Sequence, residues 1–304
     1  MKILLQTNNR NEKLLEHEYK KLVESGFEIV PFGYIETEEK SVTFGEYETE
    51  PMSKYFCRFN IQKPITLTGL EDLKPNEEII ARVSIPIIKR IYDLGIVRNV
   101  STNFLSSIKY NPHQFTISTM PQSYEFLNKT PGQFEMNILI HVLDLVFNSD
   151  MFIKPDNDLK QFSGTLVPSG KTLRQVLEEK NELTTALKHP VATVLVSNNI
   201  QKIMEEVRCY VVNKKVVTIS RYRYDGKLNM TPLNELFHNQ YVDYAQHIID
   251  NLYAPSTEFT IDLCQLANGS LKVVEYNCLN SSGLYECDSK TLFTALKEFH
   301  YPEK

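Results

Sequence analysis

The stretch Phe259-Thr-Ile-Asp262-Leu-Cys-Gln-Leu-Ala-Asn268-Gly269-Ser-Leu-Lys-Val-Val-Glu275-Tyr-Asn277 decides how this sequence is read. Asn-Gly between two apolar runs is the strongest short-range hairpin signal, because a two-residue loop needs φ > 0 at both central positions. With Asn268 and Gly269 as that loop, Asp262 stands directly across from Glu275. Side chains alternate along a strand, so Asn277 shares their face, one pair further along. Carboxylates directly opposite on antiparallel strands repel. A sheet accepts them on a solvated face, or where positive charge sits between them. Leucines and a cysteine on the inner positions argue against the solvated face. Oxygen ligands from Asp, Glu and Asn suit a hard cation such as Mg²⁺ that also holds substrate phosphates.

Two further segments carry unusual residues. In Met151-Phe-Ile-Lys154-Pro-Asp an ammonium ends an apolar strand that proline stops. Such a lysine is either an edge gatekeeper or a phosphate ligand. Lys160 follows, in a polar loop with Phe162-Ser-Gly164, and two lysines beside a small-residue turn suit nucleotide phosphates. In Glu206-Val-Arg208-Cys-Tyr-Val-Val the Glu206 and Arg208 side chains project to one face. An Asn213-Lys214 turn after them pairs Glu206 with Arg221, which reads equally as a plain cross-strand salt bridge.

Outward from these segments the chain divides in two. Lys2 to Thr7 is a strand, Asn11 caps a charged helix over Glu12 to Ser25, Gly26 ends it, and Phe27 to Pro31 is a second strand. This β-α-β opening predicts an α/β amino-terminal domain over residues 1–110. Residues 36–50 read as a loop or edge hairpin, Glu78 to Ser84 as a buried strand, and the residues after it as a helix ending near Gly95. Residues 99–123 lack periodicity and mark a boundary. The second part, residues 111–304, opens with apolar residues at helical spacing between Gly132 and Asn148 (Ile138, Leu139, Val142, Leu145, Val146). A charged helix at 171–188, a strand over Val191 to Val196, the Glu206–Ser220 strand pair, a helix at 233–251 and a closing helix at 289–299 complete the reading.

Composition narrows the partners. The chain has 304 residues, a net charge of −5 and 42% hydrophobic residues. It is long enough to split into domains of ~100–200 residues. The acidic balance weighs against nucleic acid, and no apolar run approaches the ~20 residues of a membrane span. Five cysteines without a CxxC point to a reduced, cytoplasmic setting rather than a disulfide framework. The eleven glycines are about half the usual ~7 %, and there is no GxGxxG. Gly164 to Thr172 misses a P-loop by one residue, since Thr165 stands where glycine is needed. Lys154-Pro-Asp156 is followed by Asn157 rather than the glycine of a nucleotidyltransferase motif. There is no GxSxG, and the seven histidines are scattered without zinc spacing.

Together these residues resemble the ATP-grasp superfamily. The strand ending in Lys154, the β-rich stretch before Glu206 and the pattern Asp262 … Glu275-Tyr-Asn277 carry the likeness. Lys154, Lys160 with Phe162-Ser-Gly164, and Glu206-x-Arg208 look most like the clade named for one arginine and two lysines. The resemblance covers about residues 112–290, and Arg82-Val-Ser84 is similar to that clade's amino-terminal domain. It implies an ATP-grasp fold, two α+β lobes holding ATP, behind a smaller α/β domain. Asp262, Glu275 and Asn277 would hold Mg²⁺, and Lys154, Lys160 and Gly164 would contact phosphates. The main chain of Leu195 and Val196 would meet adenine, Glu206 would lie near the ribose, and Arg221 would count among the nucleotide contacts. Arg208 and Lys160 would be catalytic. The implied activity is an ADP-forming ligase that activates a small-molecule or peptide carboxylate as an acylphosphate and joins it to an amine or thiol. Alternatives are a nucleotide-binding regulatory module and a kinase-like phosphoryl transfer. Arg82 is either an acceptor contact or the partner of an acidic neighbour.

Overall fold

Strand β1 (Lys2–Gln6) is buried at four of its five positions and pairs in parallel with β2 (Glu28–Glu36) on one side. Helix α1 (Glu12–Glu24) makes the crossover between them. On the other side β1 pairs in parallel with β4 (Ile79–Arg82), while β3 (Ile65–Thr68) runs antiparallel to β2. The sheet order is β3-β2-β1-β4. A strand buried on both faces reads as an unbroken apolar run, which is how Ile79-Ile-Ala81 appears. This computed structural model describes residues 1–7, 12–36, 65–70, 73–74, 77–82, 134–155, 162–188, 190, 192–198, 201–277, 279 and 282–302. The Asn11 cap, the loop before β3, the helix ending near Gly95, the domain boundary at 110–111 and Lys160 lie outside the described residues.

The second sheet has the order β5-β8-β6-β7, built from β5 (Phe134–Ile138), β6 (Met151–Pro155), β7 (Thr165–Val167) and β8 (Thr193–Ser197). Helices α2 (Leu139–Val142), α3 (Leu173–Glu179) and α4 (Leu183–Ala186) cover one face and share a core with Ile153, Val167, Val194 and Val196. Two expectations are corrected here. The helical spacing after Gly132 yields a strand and a single helical turn, because β5 pairs antiparallel with β8 and the Leu139 and Ile140 N–H groups donate to Ala192 and Pro190. Of the spaced apolar residues, Leu139 and Val142 enter the core of this sheet, whereas Ile138, Leu145 and Val146 are 39–61% exposed. The charged helix at 171–188 is two helices, broken where Asn181 takes φ +59°. The first begins with a capping box, in which Thr172 and Gln175 each accept from the other's backbone N–H.

The third sheet is antiparallel, of order β11-β10-β9-β12-β13, so the chain crosses from the β11 edge back to β12 beside β9. Its strands are β9 (Ile203–Val212), β10 (Lys215–Tyr224), β11 (Lys227–Leu228), β12 (Phe259–Leu266) and β13 (Leu271–Asn277). Helix α5 (Glu235–Asn251), capped by Asn234, packs on one face against Val207, Cys209, Val211, Ile261, Leu263 and Tyr276. The other face is divided. Tyr210 and Val212 join a core with β1, β4 and the closing helix α6 (Ser289–His300). Glu206, Arg208, Asp262, Glu275 and Asn277 stand at the other end of that face. No helix among the described residues is long and apolar enough to cross a membrane.

Candidate active site

The β12–β13 hairpin pairs Asp262 with Glu275, but by a different route from the one its turn residues imply. Only Gly269 has positive φ (+83°), and its N–H donates to Leu266, so the turn centres on Ala267-Asn268. A left-handed residue after a type I turn is the usual role of glycine in a three-residue hairpin loop. That turn alone would shift every pair by one residue. A bulge between Asp262 and Leu263 takes up Val274 as an extra residue and restores Asp262 opposite Glu275. The extra valine packs beside Cys264 and Leu266.

The two carboxylates differ in burial, Glu275 being partly exposed. Asp262 is 1% exposed. Arg208, its register neighbour on β9, donates from Nε and Nη2 to its two oxygens, both at 2.8 Å. The amide nitrogen of Asn277 donates to Asp262 at 3.2 Å and to Glu275 at 3.1 Å. Lys154 approaches from β6 of the second sheet, its Nζ 3.7 Å from Glu275. Positive charge thus comes from two strands, which answers the repulsion of the facing carboxylates. Burial, with Glu275 and Glu206 nearby, pushes the Asp262 carboxyl up despite the Arg208 pair. Burial also works against the Arg208 charge, yet Asp262 holds the guanidinium well above its ordinary range.

Asp262, Glu275 and Asn277 form a set of two carboxylates and one amide. Among the described residues no group of three or more His, Cys, Asp or Glu side chains is placed to hold a metal alone. Two carboxylates are within the donor number that Mg²⁺ takes from protein, the rest of its shell coming from phosphate oxygens and water. The amide orientation follows from the hydrogen-bond network, and the opposite orientation presents a third oxygen.

On β6, Lys154 is 8% exposed and stands across from Leu195 of β8. Cross-strand partners share a face, so the two side chains line one surface. Gly164 closes in beside them, since an added Cβ there would lie 2.8 Å from the Phe152 ring and 3.6 Å from Lys154 Cβ. Leu195 and Val196 sit in the middle of β8, paired to β5 and β6 on its two sides. Their main-chain groups belong to those ladders, which corrects the expectation that they meet adenine.

Glu206 does not face Arg221. Bulges between Val216 and Thr218 and between Arg221 and Arg223 shift the register, so Glu206 pairs with Arg223. Arg223 Nη1 donates to Glu206 at 2.9 Å, and the hydroxyl of Tyr222, the extra residue of the second bulge, donates at 2.6 Å. Arg221 lies on the α5 face, 3.4 Å from Glu205, whose carboxylate also accepts from Tyr241 at 2.9 Å. It is therefore removed from the nucleotide contacts. Sequence reasoning missed Tyr222, Arg223 and Tyr285. The alternation Arg221-Tyr-Arg-Tyr224 was the available signal for the first two.

Arg82 is the partner of an acidic neighbour. It is 2% exposed, and its Nε donates to Glu18 at 2.9 Å. Its other nitrogens donate to the carbonyls of Leu279, at 2.6 Å, and Ser282. Burial among these partners, not an acceptor substrate, is what the guanidinium meets among the described residues.

A family profile described as "ATP-grasp domain, R2K clade family 2" matches residues 141–295. No curated protein sequence matches the chain. Among solved structures, D-alanyl-alanine synthetase A from Vibrio cholerae O1 aligns over 98% of this chain and 97% of its own, with a TM-score of 0.53 and 13% identity. VanG D-Ala:D-Ser ligase from Enterococcus faecalis aligns over 96% and 94%, with a TM-score of 0.51 and 13% identity. At these identities the likeness is one of fold, and the fold is the ATP-grasp fold that the hairpin and lysines imply.

Proposed function

The chain belongs to family 2 of the R2K clade of ATP-grasp domains, and from that premise we propose that it is an ATP- and Mg²⁺-dependent ligase. It activates a carboxylate as an acylphosphate, releases ADP, and joins the acyl group to an amine or thiol. In this reading residues 1–110 form an amino-terminal domain and residues 111–304 the ATP-grasp domain. The observation that carries it is the meeting of Lys154 with Glu275 at 3.7 Å. A phosphate-type lysine on one sheet lies against an oxygen-donor cluster on another.

Asp262, Glu275 and Asn277 hold Mg²⁺, which when bound neutralises the phosphate oxygens. Lys154, together with Lys160 six residues later in the sequence, holds the phosphates beside Gly164. Glu206 lies toward the ribose. The carboxylate substrate attacks the terminal phosphorus with ADP leaving, and the nucleophile then attacks the acyl carbon with phosphate leaving. Arg208 offers its Nη1 edge to the charge that develops on the transferred group, because Nε and Nη2 are taken by Asp262. Catalysis is positioning and preorganised charge, with no covalent enzyme intermediate. A cytoplasmic setting is part of this reading, on the ground of five cysteines without a CxxC.

Glu275→Gln is expected to stay folded and to lose Mg²⁺-dependent ADP release from ATP supplied with a pool of amino acids, peptides and nucleosides. Undiminished release would remove the metal-site assignment. Tight ATP binding by the unaltered protein with no ADP or phosphate formed would replace the ligase by a nucleotide-binding module.

A further inference from the structure

Tyr285 combines features that the ligase reading does not use. It is one of few non-glycine residues with positive φ, at +49°. For a bulky residue this backbone is strained, and it persists only where the surroundings over-determine it. They do so here. The Tyr285 carbonyl lies 3.1 Å from His17 Nε2 on α1. The Tyr210 hydroxyl lies 2.6 Å from the Gly283 carbonyl and 2.8 Å from that of Leu284. On the other side, Glu286 donates its N–H to Ser220 and is paired through its carboxylate with His17 and Lys21. Every neighbour of the strained residue is anchored.

The ring so presented stacks on Tyr222, with centroids 5.3 Å apart and planes at 16°. The Arg208 guanidinium carbon lies 5.5 Å from the Tyr222 ring and 5.4 Å from the Tyr285 ring. Both distances fall within cation–π range. The bidentate pair with Asp262 fixes the guanidinium plane along one edge. The aromatic pair borders it on another side, and among the described residues Nη1 is the edge left for an incoming anion.

We propose that Tyr285, bracketed with Tyr222, is the positioning residue that aims the Arg208 Nη1 edge at the transferred phosphoryl group. This rests on the ligase reading, in which Arg208 meets that group. The ring does the positioning, not the hydroxyl, and the anchored loop is what keeps the ring in place. Gly283 belongs to the device, since a Cβ there would stand 3.0 Å from the Tyr285 ring.

The test compares the affinity for MgADP alone with that for MgADP plus aluminium fluoride, a mimic of the transferring phosphoryl group, by calorimetry. Transition-state mimics bind more tightly than ground-state ligands where charge is preorganised, so the unaltered protein is expected to gain affinity with fluoride. Tyr285→Asn accepts positive φ without a ring. It should keep its MgADP affinity within about twofold and lose about tenfold of the fluoride-dependent gain. Tyr285→Phe should restore the gain, and Gly283→Ala, which crowds the ring, should lose part of it. If Tyr285 acts through Arg208, adding Tyr285→Asn to Arg208→Lys costs nothing further. Retention of the full gain by Tyr285→Asn overturns the proposal. So do equal defects in the Phe and Asn variants, or additive losses with Arg208→Lys. A protein that binds MgADP but gains nothing with fluoride overturns it and leaves nucleotide binding standing. A protein that binds no MgADP removes the ligase reading, and this inference with it.

Discussion

Asp262 and Glu275 face each other, yet their energetic positions differ. Asp262 is the counter-charge of a guanidinium that is itself only 8% exposed. Removing one partner of a buried pair leaves an uncompensated charge and costs about 3–5 kcal/mol. Asp262→Ala is therefore expected to lose about that much stability in urea denaturation. Glu275, whose side chain is 28% exposed, should change stability by less than about 1 kcal/mol as Gln. A loss below about 1 kcal/mol for Asp262→Ala would mean that Arg208 finds water or another anion. The thiols make a separate prediction. Burial pushes Cys264 up to about 12, and likewise Cys287. An unfolded thiol ionises near ~8.5, so above that pH the unfolded chain releases protons that the folded one keeps. Stability is then full below about pH 8 and falls as pH rises, by at most ~1.4 kcal/mol per pH unit per thiol. Urea midpoints measured from pH 7.5 to 9.5 should decline, and less steeply in Cys287→Ala. A flat profile would count against thiol burial as the cause.

The hairpins show how local chemistry and packing divide the task of placing side chains. The β9–β10 turn takes φ +51° at Asn213 and +60° at Lys214, the two-residue geometry that asparagine and glycine suit. Lysine there carries a left-handed cost of about 1 kcal/mol. Lys214→Gly is expected to stabilise the protein by about 0.5–1 kcal/mol. Nucleotide affinity should not change, because the turn lies at the far end of β9 from Glu206. Loss of stability would show that the Lys214 side chain contributes more than its backbone costs. The strand pairs also depend on bulges, and two of them put site side chains in place. Val274 returns Glu275 to Asp262, and Tyr222 is turned onto Glu206.

Across the whole molecule, the amino-terminal sheet and the site-bearing sheet are joined through one buried core. Arg82 is a polar staple in that core. It links α1, β4 and the chain that follows β13. Glu18 and Arg82 compensate each other, so removing only Arg82 should cost about 3–5 kcal/mol. Replacing the pair together, as Glu18→Leu with Arg82→Met, should cost less than Arg82→Ala alone, because no charge is left buried. Denaturation of the two variants checks this. Additive losses would show that the carbonyls of Leu279 and Ser282, not the charge pair, carry the stabilisation.

Much of this protein is written in its local sequence. The β1–α1–β2 opening, the strand ending at Lys154, the hairpins and the closing helix all follow from apolar period, turn residues and caps. These signals act over a few residues and need no distant partner. The facing of Asp262 and Glu275 was legible too, though the Asn-Gly loop assumed for it gives way to a different turn corrected by a bulge. Other features depend on pairings far apart in the chain. β5 is a strand because β8 offers it a ladder, Arg223 rather than Arg221 meets Glu206 because two bulges intervene, and Arg82 is sealed behind Glu18. Tyr285 reaches Arg208 only through a loop anchored by α1. Bulges and buried pairs are settled by packing against elements that folding brings together, and no period or turn signal in the chain encodes that.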